Sequence, residues 1–524
     1  MINNRDVRIV GFNLGRVVKN IGLLLLFPMP VCLIYFEVDV IPDFIMAASV
    51  SYSLGLILQI LFHTGEEIRF KHAMAISSLV WIFGSVLAGL PLWTSGSVKS
   101  VLDGTFDGMS GWTTSGLSVI PDIDHLSHSI NFWRHLTQFI GGAGIVVFGL
   151  ALLTKSVSGA SRLYVSEGRD EKIYPSITKT AKAIFGICLM FLALGSVVLT
   201  VIGLHEGMSI SNSLFDAMMT TMAAFSTGGF SPHSQNLLFY HSTAYEIAAI
   251  VISIIGAFNF ALHFSVLTGN RQEMRKNFEI ITITATIVAL TLITMTFLIY
   301  FNVYSDYLSL FRKGFFQLVS GHTTTGFQTI NVIQFTRDWP YLSLFAVTVS
   351  MLLGACACST GGGIKALRVG IIVKMFIREV KKMILPENAV IIEKYHHIHK
   401  SVINDRTARG AMLVAMGYIL LFAGGSLVTM FYGYSMIDSM FETASALGNT
   451  GLSIGITSYQ MPWLLKVNYI FLMWVGRLEI ISVFVLLGIV YVGVKQLSYA
   501  SAGAYHSSEM VASKIMHSKK KETE

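Results

Sequence analysis

The chain has 524 residues, 53% of them hydrophobic and 13% charged, with a formal net charge of +7. A soluble protein carries about 25% charged residues, so this composition excludes a soluble globular domain as the main body of the chain. Runs of roughly 20 apolar residues cross a bilayer as helices. Ten such runs are predicted, at 21–36, 44–62, 73–93, 132–153, 183–204, 245–267, 278–301, 341–376 (interrupted), 411–432 and 464–494. The first is followed at once by others and has no small-residue cleavage site, so it reads as a retained helix and not as a cleaved signal peptide. The fold class is an all-α polytopic membrane protein.

In chain order, residues 1–72 form a transmembrane hairpin outside any repeat. Four units follow, at 73–155, 156–268, 269–410 and 411–524, each an apolar span, a short apolar helix, a glycine loop and a second span. The loops are Thr113-Thr114-Ser115-Gly116-Leu117, Phe225-Ser226-Thr227-Gly228-Gly229, Thr323-Thr324-Thr325-Gly326-Phe327 and Gly448-Asn449-Thr450-Gly451-Leu452. The short helices are predicted from Val101 to just before Gly116 and over 215–224, 311–320 and 437–447. A large apolar residue, Phe106, Met218, Phe316 or Phe441, stands ten positions ahead of Gly116, Gly228, Gly326 or Gly451. These helices are too short to span. Re-entrant backbone is tolerated in a membrane only where protein or water covers it, and four such elements around a pseudo-fourfold axis cover one another. Internal repeats of this size place a site on the axis between them.

Basic residues sort by side. The stretches after each loop-bearing unit hold six (154–182), three (268–279), ten (365–410) and five (495–524) Lys and Arg. The connections carrying the loops hold one, none, three and one. By the positive-inside rule both termini are cytoplasmic and the loops enter from outside.

A cation leaving water needs its hydration oxygens replaced, and a ring of backbone carbonyls does this without a full charge in its path. Glycine permits the dihedrals required. The candidate ion-binding residues are therefore Thr114, Ser115 and Gly116; Ser226, Thr227 and Gly228; Thr324, Thr325 and Gly326; and Asn449, Thr450 and Gly451. The loop cores contain no carboxylate, which argues against a high-charge divalent site.

The second span of unit three is broken by Gly354-Ala355-Cys356-Ala357-Cys358-Ser359-Thr360-Gly361-Gly362-Gly363. Consecutive glycines disfavour helix by about 1 kcal/mol each. The spacing does not fit a phosphate loop, and Ala366 follows Lys365 where that motif needs Ser or Thr. Arg477 lies inside a span, where it must face a cavity or a partner. Its bland reading is an ion pair, with Glu479 or a pore-helix acid. Its sharper one is a positive barrier level with the glycine-rich break. The four cysteines show no zinc or disulfide spacing. His396, His397 and His399 read as part of a solvated basic loop and not a zinc site. That loop's Lys and Arg suit anionic lipid or an acidic partner.

The four loops, Trp133-Arg134-His135-Leu136 with Gly141-Gly142-Ala143-Gly144-Ile145, Cys358 through Lys365, and Gly476-Arg477-Leu478-Glu479-Ile480 together resemble the superfamily of TrkH, KtrB and HKT potassium transporters, over about 73–500. The N-terminal hairpin is similar to the TrkH branch, while Gly448 through Ser453 is closer in style to KtrB. The resemblance implies a K+ selectivity filter at the loops, with potassium and not sodium since Gly116 is no serine. It implies an intramembrane gate at Ser359, Thr360, Gly361, Gly362, Gly363 and Lys365, and supports the barrier reading of Arg477. It further implies a homodimer in a prokaryotic plasma membrane, a cytosolic nucleotide-binding ring of the TrkA or KtrA kind, and no organic cofactor on this chain. The alternatives are sodium or sodium-coupled transport and an intramembrane enzyme. The enzyme would need a catalytic pair that the spans do not offer.

Overall fold

The computed structural model describes residues 4–145, 147, 160–167, 171, 173–386 and 391–496. Its N-terminal hairpin pairs helix Asn4–Leu24 with Ile41–Leu61 through a short helix, Met29–Ile34. The first crossing therefore starts well before residue 21. Its amphipathic first half has no continuous apolar run, yet it buries Ile9, Leu14, Val18 and Ile21. The two helices touch along glycines: a Cβ on Gly55 would stand 2.5 Å from the Lys19 nitrogen. Such close backbone approach is how helices associate in membranes.

Four times the chain then runs outer helix, short helix, turn, inner helix. The outer helices are Phe70–Thr94, Ile177–His205, Phe278–Tyr300 and Asp405–Phe431; the short ones are Val101–Trp112, Ile210–Phe225, Tyr307–His322 and Met436–Gly448. The short helices occupy the centre, with Phe106, Met219 and Phe441 fully buried. The outer helices after the first expose large apolar side chains such as Val197 and Leu292.

Six described helices are long and apolar enough to span a membrane, or eight if each of two bent pairs is one span. The inner helices depart from the ten predicted runs. Thr243–Gly256 and Phe260–Leu267 meet at 101°, and Trp463–Arg477 and Ile481–Gln496 at 113°. At the first bend Asn259 restarts the helix, its Oδ1 accepting from the Ala261 nitrogen at 2.7 Å. At the second, Glu479 and Ile480 take left-handed φ values of 51° and 71°. The third inner helix is interrupted as predicted, with Tyr341–Leu352 and Ala366–Ile384 flanking 353–365. The 132–153 run is helical over His128–Ala143. Its end, the boundary at 155, and the tail beyond 496 lie outside the described residues.

The predicted solvated histidine loop is instead partly ordered: Lys394–His397 and His399–Val402 pair as an antiparallel hairpin. His396 and His397 point inward, onto carboxylates.

Candidate functional site

Each short helix is started by a side-chain cap. Ser100, Ser209, Asp306 and Ser435 accept from the backbone nitrogens of Asp103 (3.1 Å), Asn212 (3.3 Å), Ser309 (2.8 Å) and Asp438 (3.2 Å). Such caps satisfy orphan donors of the first turn. They also begin the second and third helices several residues earlier than predicted, because those first turns are polar or mixed.

All four helices end alike. Thr114, Thr227, Thr324 and Asn449 adopt φ between 50° and 57°. Their nitrogens donate three residues back, to Gly111, Ala224, Gly321 and Ala446. The next residues, Ser115, Gly228, Thr325 and Thr450, donate five residues back, to Ser110, Ala223, Ser320 and Ser445. This is the Schellman pairing, with threonine or asparagine where glycine is usual. A β-branched residue in this region is strained by on the order of 1–3 kcal/mol.

The residue two positions on returns to positive φ: Gly116 (76°), Gly229 (70°), Gly326 (87°) and Gly451 (100°). A Cβ there would strike the next loop's backbone. From Gly116 it would meet the Gly228 oxygen at 2.4 Å, and from Gly229 the Thr325 oxygen at 2.0 Å. From Gly326 it would meet the Thr450 oxygen at 1.9 Å, and from Gly451 the Ser115 oxygen at 2.5 Å. The loops thus abut in a closed cycle, first to second to third to fourth to first.

This geometry shifts the second loop by one residue from the sequence alignment. Gly229, and not Gly228, occupies the place of Gly116, while Gly228 matches Ser115. Ten residues ahead of Gly229 is Met219, fully buried, whereas Met218 is only partly so. Thr or Asn followed two positions later by Gly is the signal that finds Gly229.

Buried polar groups brace the collar. Glu442 accepts from Ser453 Oγ (2.7 Å) and the nitrogens of Ile454 (3.1 Å) and Thr457 (2.8 Å). Gln317 donates to Thr329 Oγ1 at 3.0 Å. Gln138 donates to the Gly228 oxygen and accepts from the Phe230 nitrogen. Arg134 is buried, paired with Asp107 at 2.8 Å and stacked 4.2 Å above the Phe230 ring.

The glycine-rich break closes against this collar. Its ends pair: Gly354 donates to the Ile364 oxygen, and Ile364 to the Leu352 oxygen, both at 2.9 Å. Thr360 Oγ1 meets Thr227 Oγ1 at 3.1 Å and donates to the Gly256 oxygen at 2.8 Å. The Gly362 nitrogen donates to Thr324 Oγ1 at 2.8 Å. A Cβ on Gly362 would lie 2.9 Å from Asn449 Cβ, and Ser359 donates to the Cys356 oxygen at 2.7 Å. Gly361 accepts from Lys365 Nζ, and Gly363 makes its turn at φ 68°. Arg477, the last residue of its helix, bridges this loop to the first repeat. It donates to the Thr360 oxygen (2.5 Å), Thr114 Oγ1 (3.3 Å) and the oxygens of Gly141 (2.5 Å) and Gly142 (3.3 Å). Each residue that opens a loop thus touches the 359–363 segment or Arg477. Glu479 pairs with Arg368.

A helical body with apolar outer helices and a buried four-loop collar defines a multi-pass membrane protein built around one central site. The family model of TrkH, a cation transport protein, matches residues 41–491. An uncharacterized cation transporter of Methanocaldococcus jannaschii is 33% identical over 94% of this chain and 97% of its own length. The Trk system potassium uptake protein TrkH of Halomonas elongata is 30% identical over 90% and 98%. The crystal structure of the potassium transporter TrkH from Vibrio parahaemolyticus superposes with a TM-score of 0.78 at 26% identity, covering 92% and 98%. The chain belongs to the TrkH family of cation transport proteins, and is a transporter and not an enzyme.

Proposed function

We propose that the chain is the pore-forming subunit of a potassium uptake system, with the collar as its selectivity filter. The carrying observation is the closed cycle in which each loop's glycine packs on the next loop's carbonyl, at Gly228, Thr325, Thr450 and Ser115. Four equivalent carbonyls in a pseudo-fourfold ring can replace a hydration shell. The short helices end at the collar, so their C-terminal dipoles add negative potential there. The names of the Halomonas and Vibrio relatives support potassium over sodium.

Residues 359–363 with Lys365 form the gate beneath the filter, and Arg477 locks and charges it. Both termini are cytoplasmic in this reading, which the basic residues after each unit support. By family resemblance the subunit dimerises and docks a cytosolic nucleotide-binding ring.

The test is potassium, rubidium and sodium flux in liposomes, wild type against Gly116→Ser. A side chain at φ 76° that meets the Gly228 oxygen at 2.4 Å disturbs the ring, so the potassium-to-sodium ratio should fall. A ratio equal to wild type removes Gly116 from the filter. A wild type that prefers sodium removes the potassium reading altogether.

A further inference from the structure

The 394–402 hairpin reaches the gate loop through two carboxylates, and its tip carries histidines that the transport pathway does not use. His397 Nε2 contacts Glu171 Oε1, and its Nδ1 stands 3.6 Å from Glu279 Oε2. Both carboxylates act on the gate loop at Ala357, Glu279 directly and Glu171 through Asn259. Glu279 Oε1 accepts from the Ala357 nitrogen at 2.7 Å. Glu171 Oε2 accepts from Asn259 Nδ2 at 3.0 Å, and the same amide donates to the Ala357 oxygen at 2.8 Å. The backbone nitrogen of Ala357 is therefore held by one carboxylate that His397 faces, and its oxygen by an amide that the other carboxylate holds.

The tip itself is anchored. His396 Nε2 lies 2.9 Å from Glu273 Oε2, and Glu273 Oε1 accepts from the Ile398 nitrogen at 3.0 Å. Ile398 makes the turn at φ 58°. Neither His397 Nδ1 nor Glu279 Oε2 has a hydrogen-bond partner among the described residues, although His397 is half-buried and Glu279 fully so. A doubly protonated imidazole would donate to both acids, while a neutral one donates to a single acid.

We propose that the hairpin tip is a proton-operated latch on the gate loop, in which imidazolium at His397 bridges Glu171 and Glu279 and so fixes Ala357 with the gate closed. This rests on the gate reading of 359–363 and on the cytoplasmic placement of the hairpin. His397 is a positioning residue, since it touches neither the ion nor the filter. The charged and titratable groups around it are Glu171 ahead of the second outer helix, Glu273 and Glu279 of the third repeat, and His396 on its own strand. Lys365 and Cys356 of the gate loop act on Glu279 from the other side. Burial opposes a charge on His397. The hydrogen bond to Glu171 and the fields of Glu279, Glu171 and Glu273 outweigh it and hold the histidine above its ordinary value of 6.5. The latch is then complete below that ordinary value and is lost as pH rises through the raised one.

The test uses the full chain in liposomes with rubidium inside and outside, varying the pH at the hairpin face from about 5.5 to 9. Wild-type flux should rise by about tenfold across the range, the worth of one hydrogen bond to a charged group. His397→Gln, which cannot titrate, should give a flat profile near the high-pH level. Independently of flux, alkylation of the buried thiols Cys356 and Cys358, followed by peptide mass spectrometry, should be faster in His397→Gln than in wild type at pH 6. A wild-type profile that matches His397→Gln, with equal alkylation, overturns the latch. Deleting 359–363 separates the two readings. If deletion raises flux and abolishes its pH dependence, both stand. If deletion raises flux but the pH dependence persists, the latch falls and the gate stands. If deletion leaves flux unchanged, the gate reading falls and the latch with it.

Discussion

Substituting alanine at Gly229 and at Gly228 in turn decides which glycine of the second loop lines the collar. At Gly229 the new Cβ would lie 2.0 Å from the Thr325 oxygen and 3.0 Å from its carbonyl carbon, both backbone atoms. It must move that carbonyl by roughly 1 Å to reach a tolerable contact. The backbone is also left-handed there, at φ 70°, which adds about 1–2 kcal/mol for a residue with a Cβ. Overpacking adds about 1–3 kcal/mol, and the strain falls on a carbonyl of the collar. At Gly228 the Cβ would instead meet the end of the Gln138 side chain at 2.5–2.8 Å. That side chain can swing away, losing its bonds to the Gly228 oxygen and from the Phe230 nitrogen, worth together about 1–3 kcal/mol. Gly229→Ala is therefore the less stable of the two by about 1–2 kcal/mol, and the two differ strongly in selectivity. In competition flux with potassium and sodium in liposomes, Gly229→Ala should lose at least about tenfold in discrimination, the equivalent of ~1.4 kcal/mol at the ring. Gly228→Ala should lose several-fold less. Thermal melting followed by size-exclusion chromatography should show both folded. Equal loss in the two, or greater loss at Gly228, refutes the one-residue shift and restores the alignment read from sequence.

Two further outcomes concern the gate. Deleting 359–363 should raise ion flux at unchanged potassium-to-sodium ratio; unchanged or lower flux from a correctly inserted protein, measured in the same assay, counts against gating. Arg477→Ala should raise conductance, because it removes both a fixed charge and the bonds to Thr360, Thr114, Gly141 and Gly142. Arg477→Lys keeps the charge and should change conductance much less. Wild-type flux in both would leave Arg477 a structural linker.

The parts legible in the sequence are those set by local composition. Apolar runs mark the outer helices because three of the four meet lipid along their length and the first is buried among its neighbours, and four glycine loops mark the collar because only small residues let backbones meet there. The sequence also put Arg477 and the glycine-rich break at one level, and the bond from Arg477 to Thr360 joins them. What stayed hidden depends on partners distant in the chain. The bend after Arg477 carries no proline, and Glu479 sits in a left-handed turn held by Arg368 from another repeat. The burial of Arg134 stayed hidden because its acid, Asp107, lies on the preceding short helix and its stacking ring, Phe230, just after the second loop. His396 and His397 read as solvated, like the exposed His399, because Glu171, Glu273 and Glu279 reach them from other segments. The second-loop register is the intermediate case. Two adjacent glycines left it open to an alignment by glycine, whereas the strained Thr227 two positions ahead of Gly229 fixes it. The residue to align on is the one whose backbone conformation is costly, since each loop keeps that conformation only because its surroundings impose it.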